Sequence, residues 1–193
     1  MAERATRAMS PTEFFAWQER QDELYELVDG RAVPRGMTGA TQRHDMVVVN
    51  ALTAFATRLR GGPCGPTTDD IALVSPNSNV RRPDMTIDCG PLDAISRQAS
   101  SPTLVLEVLS PSTAMIDRFE KLEEYKTLAS LAYILIAEPG VAHVLLYARG
   151  DDGTWTSMSH IGLESELHLP RLGCTLPLAE LYEGVPLSPD PAS

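Results

Sequence analysis

The chain predicts an α/β (α+β) fold: a central mixed sheet with helices on both faces. Three stretches carry that expectation. Residues 103–109 (TLVLEVL) are apolar apart from Glu107, as in a central strand covered on both faces. A helical pattern over about 114–129 and a second apolar strand at 131–137 (LAYILIA) follow it. Strand, helix and strand in that order predict a parallel pair joined by a right-handed crossover. Beyond the Glu138-Pro139-Gly140 turn, short strands separated by turn residues predict an antiparallel C-terminal hairpin set.

The remaining elements follow in chain order. Ser10-Pro11-Thr12-Glu13 is a capping box with proline at the first helical position, so a short helix is expected to about Glu19. Residues 24–30 (LYELVDG) read as a strand ending in an Asp-Gly turn, with 31–34 as its hairpin return. Residues 36–41 form a glycine- and threonine-rich loop. From about 42 to 60 the spacing of Val48, Leu52, Phe55 and Leu59 marks one helical face. Strands are expected near 64–68, 71–75 and 85–89, then a mobile surface loop over 90–102. Ser110-Pro111-Ser112-Thr113 is turn and N-cap chemistry. Met115, Phe119, Leu122 and Ala129 are the expected core face of the helix it starts. Strands near 141–148, 154–160 and 166–169 and a short helix near 177–182 complete the chain.

The length of 193 residues fits one domain, expected over 10–185, with flexible segments at 1–9 and 186–193. No apolar run approaches the ~20 residues of a membrane span, and the first ten residues lack the apolar stretch of a secretory signal. Cys64, Cys89 and Cys174 are widely separated and form no CxxC pair. They read as small packing residues in a reducing, cytoplasmic setting rather than a disulfide framework or zinc knot. The net charge of −10 argues against tight nonspecific binding to DNA. It is compatible with a nuclease whose acids are partly neutralised by metal.

Three carboxylates stand out: Glu26, Asp84 and Glu107, each in or at the start of an expected strand. Glu26 lies between Leu24 and Val28 on one strand face. An unpaired carboxylate in a dry interior is costly, so Glu107 requires a partner. Adjacent strands are about 4.8 Å apart, so acids on neighbouring strands can share a divalent ion. Oxygen ligands suit magnesium or manganese, and such an ion activates water and stabilises phosphoryl charge. Asp117, Lys121 and Tyr125 are successive i, i+4 neighbours on the following helix, and Lys121 could counter the developing charge. The alternative is a salt-bridge network, with Glu107 paired to Lys121 or Arg82 and Asp84 capping the turn at Pro83. There is no P-loop, GxGxxG, GxSxG or HExxH.

YELVDG at 25–30, RPD at 82–84 and LEVLSPST at 106–113, followed by Asp117, Lys121 and Tyr125, resemble the Uma-two family of bacterial restriction-endonuclease-like proteins. That family lies within the PD-(D/E)XK nuclease superfamily, and the resemblance covers about residues 11–150. It implies a restriction-endonuclease-like sheet and magnesium- or manganese-dependent hydrolysis of phosphodiester bonds in DNA. By resemblance Asp84 is the motif aspartate, Glu107 the acid of (D/E)XK, and Glu26 the acid of the first element. His44 falls where the family often has a histidine opening its second helix. In the wider superfamily the lysine lies two residues after the acid; here Leu109 stands there, and Lys121 supplies the amine one helix later. Asp84, Glu107 and Glu26 are thus the expected metal ligands, with Lys121 the fourth catalytic residue. His44, Asp117, Tyr125 and Arg82 are expected to line the site. A homodimer suits two strand cuts. The alternatives are a metal- or nucleic-acid-binding protein without turnover on the same fold, and an oligomeric structural protein whose acids are merely salt-bridged.

Overall fold

A computed structural model describes residues 8–35, 41–110 and 115–188, excluding the side chains of 115–118. Residues 36–40 of the expected 36–41 loop, residues 111–113 of the expected turn and N-cap at 110–113, residue 114, and the end segments 1–7 and 189–193 lie outside the described residues.

The fold is a mixed α+β arrangement. Helix α1 (Pro11–Gln18) starts at the reciprocal Ser10–Glu13 capping box. Strands β1 (Tyr25–Val28) and β2 (Arg31–Pro34) form the expected hairpin, turning at Asp29 and Gly30, both with positive φ. Helix α2 (Gln42–Arg58) is capped by Thr41. Strands β3 (Gly65–Thr68), β4 (Leu73–Val74), β5 (Val80–Arg81), β6 (Met85–Asp88) and β7 (Pro102–Val108) precede α3 (Met115–Lys126). Then come β8 (Tyr133–Glu138), β9 (His143–Arg149), β10 (Trp155–Ile161), β11 (Glu166–Leu169), a 3-10 turn (Pro170–Leu172), β12 (Cys174–Pro177) and α4 (Leu178–Leu181).

The main sheet has the order β10-β9-β8-β7-β6-β3. Strands β7 and β8 are parallel, with Glu107 beside Ile136, and α3 makes the connection between them. The neighbouring pairs in this sheet are antiparallel. A smaller sheet, β2-β1-β5-β4, brings the N-terminal hairpin alongside, and β11 pairs with β12. Alternation along β7 and β8 sends Leu104, Leu106, Val108, Tyr133 and Leu135 into the core shared with α2 and α4. Val105 and Ile134 point the other way, to Leu122, Tyr125 and Leu128 of the α3 region. Glu107 therefore emerges on the α3 side.

Several expectations are corrected. Of the expected face of α2, Phe55 and Leu59 are buried and Val48 and Leu52 are partly buried against the same core, and the buried stripe extends to Val47, Ala51 and Ala54, whose small alanines let the helix approach the sheet. Of the expected core face Leu122 is buried, while Phe119 and Ala129 are exposed, and the buried arc of α3 also contains Glu124 and Tyr125. Helix α3 ends at Lys126 rather than near 129. The loop after β6 is pinned: Asp88 accepts hydrogen bonds from the backbone N–H groups of Gly90, Ser100 and Ser101, and Ala72 bonds Arg97 and Ala99. Where the two end segments are described, the Met9 amide donates to Gly30 and the Ser188 amide to Gly140. Cys64 and Cys89 are joined in a disulfide. They flank the Gly65–Asp88 pair of antiparallel β3 and β6, a proximity that sequence spacing cannot reveal. Cys174 is a free thiol, partly buried.

Candidate active site

Two strand registers assemble the polar centre. In the smaller sheet Leu27 pairs with Val80, so antiparallel geometry sets Glu26 opposite Arg81. In the main sheet Met85 pairs with Leu106, which sets Asp84 opposite Glu107. Helix α3 covers both junctions. Lys121, Glu124 and Tyr125 share its inner face through i+3 and i+4 spacing.

Glu26 is engaged on every side. Lys121 Nζ lies 3.1 Å from Oε1 and the Arg81 guanidinium 3.2 Å from Oε2. The Arg82 backbone N–H donates to Oε1 at 3.1 Å. Burial opposes the charge on Glu26, but Lys121, the Arg82 amide and Arg81 hold its carboxyl below the usual range. Arg81 also reaches Glu124, at 2.8 and 2.9 Å, and Ser75 and Asn79 donate to the same carboxylate. Glu26, Arg81 and Glu124 are all buried.

Asp84 is held by three donors. The Val108 amide is 2.7 Å from Oδ2 and His44 Nε2 is 3.3 Å from the same oxygen. Arg35 donates to Oδ1 at 2.8 Å and also to Asp69. Burial pushes the Asp84 pKa up, yet His44, the Val108 amide and Arg35 bring it below the ordinary value. The hydrogen bond to Asp84 raises the His44 pKa in return.

Glu107 differs from both. The Tyr125 hydroxyl donates to Oε1 at 2.6 Å. Burial, reinforced by the charges of Asp84 and Glu26 and opposed by Lys121 and Tyr125, pushes its carboxyl up to about 7. Burial and the neighbouring Glu107 hold the Tyr125 phenol well above its usual pKa. A cleft of about 30 Å³ opens beside Glu107, lined by Val108, Leu109, Lys121, Leu122, Tyr125 and Ile136. That is room for a water-sized occupant.

The expected three-acid metal centre is not present in this form. Among the described residues no three His, Cys, Asp or Glu side chains are grouped to hold one ion. The reason is local: Glu26 is turned to Lys121 and Arg81, whereas the salt-bridge alternative pairs Lys121 with Glu107. Asp84 and Glu107 remain as two carboxylates facing across adjacent strands. They fit magnesium or manganese, hard ions that bind through one or two carboxylates and keep several waters. The elevated Glu107 pKa marks a place where added positive charge is favourable.

Of the expected lining residues, His44 and Tyr125 touch the two acids. Arg82 does not; its guanidinium braces the carbonyls of Tyr25, Asp69 and Asp70, and only its amide serves the site. The Asp117 side chain lies outside the described residues. Arg35, Arg81, Glu124 and Asp69 were not foreseen. Glu124 had a signal, since it lies three residues after Lys121 on one helical face. His44, expected from the resemblance, is also in register with Val47 and Ala51 on the buried stripe of α2.

The family model for Uma2, described as "Putative restriction endonuclease", matches residues 11–179. The chain belongs to the Uma2 family. It is 32% identical over 179 residues to the uncharacterized protein slr1290 of Synechocystis sp., covering 92% of this chain and 93% of that protein. A second Synechocystis protein, the uncharacterized sll1609, is 24% identical, with 84% and 93% covered. A crystal structure described as a putative nuclease of DUF820 from Anabaena variabilis superposes with a TM-score of 0.72 at 12% identity, covering 90% of this chain and 97% of that one. The restriction-endonuclease-like fold is thereby shared. The Uma2 match contains each element of the site, from β1 through α3.

Proposed function

We propose that this Uma2 protein hydrolyses phosphodiester bonds in DNA, using magnesium or manganese held by Asp84 and Glu107. The observation that carries the reading is Glu107: a single acid on an apolar strand, opposite Asp84, beside a water-sized cleft and electrostatically short of a cation. When bound there, the dication supplies a water of lowered pKa and stabilises charge on a phosphoryl oxygen. Tyr125 fixes the Glu107 carboxylate, and His44 with the Val108 amide fixes Asp84. Lys121 lines the same cleft, and its contact with Glu26 aims the ammonium at the space where phosphoryl charge develops. In this reading Glu26 positions Lys121 rather than binding metal directly. A cytoplasmic setting, where such DNA would be met, belongs to the same proposal.

Labelled duplex, single-stranded and branched DNA incubated with manganese test it. Asp84→Asn and Glu107→Gln should each reduce cleavage about 100- to 1000-fold, as expected when a group central to transition-state stabilisation is lost. Undiminished cleavage by either variant refutes the assignment. A binding protein without turnover is the second reading, favoured by the net charge of −10 and by the three donors already on Asp84. Manganese binding by the parent protein with no cleavage of any substrate selects it.

A second copy of the chain completes the proposal, meeting along β10. This edge strand of the main sheet (WTSMSHI) has seven residues and no charge. The opposite edge, β3, has four residues including Pro66, a protective feature that β10 lacks. The Gly150 and Gly162 amides bond to Thr154 and Ala142, so even-numbered residues of β10 face β9. Ser157 and Ser159 then turn their backbone groups to the open side. A two-fold axis at Met158 would place Trp155 against the partner's Ile161. Met158→Lys should convert a dimer to a monomer in sedimentation; an unchanged dimer, or a monomeric parent, removes this interface.

A further inference from the structure

Arg35 follows β2 directly, and its amide donates to the Leu24 carbonyl, so its backbone is tied to the hairpin. Its side chain is only 10% exposed and bridges two acids, Asp69 and Asp84. With His44 and the Val108 amide on Oδ2 and Arg35 on Oδ1, both oxygens of Asp84 are engaged. A guanidinium keeps its charge at any ordinary pH. A dication approaching Asp84 therefore meets a resident cation that can leave only by moving. The planar fork of arginine matches a phosphate as well as a carboxylate, and Asp69 gives it a second anchor near the site.

Resting on the metal-dependent reading above, we propose that Arg35 is the counter-ion of Asp84 in the metal-free protein, and exchanges Asp84 for a phosphate of the nucleic acid when the dication enters. Arg35 is a positioning residue that competes with metal when no phosphate is present. Once a phosphate takes the guanidinium, Asp84 is released to the ion. Metal and nucleic acid then strengthen each other's binding, and the coupling is reciprocal. A purely structural ion pair between the hairpin, Asp69 and Asp84 makes a different prediction. Its loss would loosen the site and weaken metal binding or leave it unchanged.

The test is calorimetric titration of Mn²⁺ alone into the full chain, Arg35→Gln and Arg35→Lys, repeated with a short phosphorothioate duplex present. Without the duplex, Arg35→Gln should bind Mn²⁺ about tenfold more tightly, the scale on which partners of metal ligands tune affinity, and Arg35→Lys, which keeps a charge but loses the fork, should tighten by less. With the duplex, the parent should gain affinity and the variants should gain less. Affinity unchanged or weaker in both variants overturns the proposal. Equal gains with the duplex in the parent and Arg35→Lys also overturn it, because the phosphate is then met by charge alone and not by the fork. Arg35→Lys keeps the charge and provides the deciding measurement should Arg35→Gln misfold. Absence of Mn²⁺ binding in the parent and both variants, all folded by circular dichroism, removes the metal centre itself. Measurable but equal binding removes only the role of Arg35.

Discussion

Glu107→Gln is expected to raise the melting temperature at pH 8 while reducing cleavage about 100- to 1000-fold. In the folded chain burial pushes the Glu107 carboxyl up to about 7, against an ordinary glutamate value near 4.5. The folded state therefore holds a proton that the unfolded state releases. Stability from this group is full below about pH 4.5 and declines as pH rises through about 7. At pH 8 the charged carboxylate costs on the order of 2 kcal/mol after allowance for partial solvent access. Glutamine has the same shape, keeps an acceptor for the Tyr125 hydroxyl, and carries no charge. For a chain of this length the gain corresponds to roughly 5 °C. The measurement is a pair of melts at pH 4.5 and pH 8 for parent and variant. The gap should open only at the higher pH, and Mn²⁺ should close it by stabilising the parent alone. A variant no more stable than the parent at pH 8 contradicts this account of Glu107.

The opposite sign holds for Glu26. Burial raises its pKa, but Lys121, the Arg82 amide and Arg81 outweigh burial and leave it depressed. Its contribution is present above about pH 4.5 and is lost as pH falls through the folded value. Asp84 behaves likewise, lowered by His44, Val108 and Arg35 against burial. The two classes of acid differ in sign. Glu26 and Asp84 are stabilising as carboxylates beside their cations, whereas burial makes the ionised form of Glu107 destabilising. An enzyme commonly carries such a destabilised group where activity needs it.

What was legible in the sequence follows from the range of each signal. Strand β7, helix α3 and strand β8 were plain because an apolar run, a helical period and a second apolar run are local patterns. The lone acid on β7 was visible for the same reason, and the family's motif spacing pointed to Asp84 and Lys121. Strand β5 has two residues and offered no period to read, so Arg81 went unnoticed although it stands beside the conspicuous RPD. Its partnership with Glu26 depends on the pairing of Leu27 with Val80, a contact across more than fifty positions. The disulfide is hidden in the same manner, since only the β3–β6 register brings Cys64 to Cys89. Arg35 lies between the expected hairpin return at 31–34 and the expected loop at 36–41, where no local pattern marks it. Local pattern thus disclosed the layers and the acids. The cations that decide what each acid can do arrived through strand register.

Arg81→Met should be the most damaging single change outside the apolar core. The guanidinium lies between Glu26 and Glu124 with only 4% of the side chain exposed. It is the shared cation of two buried carboxylates, on different elements, that join the small sheet to α3. Methionine fills comparable volume, so the loss isolates charge from packing. Removing one partner of a buried ionic network costs about 3–5 kcal/mol, because the remaining charges stay buried without compensation. The melting temperature should fall by about 10 °C at neutral pH. As pH falls below about 4.5 the deficit should shrink, because Arg81 helps hold the Glu26 carboxyl below the usual range and that contribution is lost on protonation. The double variant Arg81→Met, Glu124→Gln should recover part of the loss, since Ser75 and Asn79 can still bond an amide while Lys121 remains to neutralise Glu26. Thermal melts across pH 4–8 on the parent, single and double variants provide the measurement. A single-variant loss below 1 kcal/mol, or a deficit independent of pH, would show that solvent rather than Arg81 carries these charges.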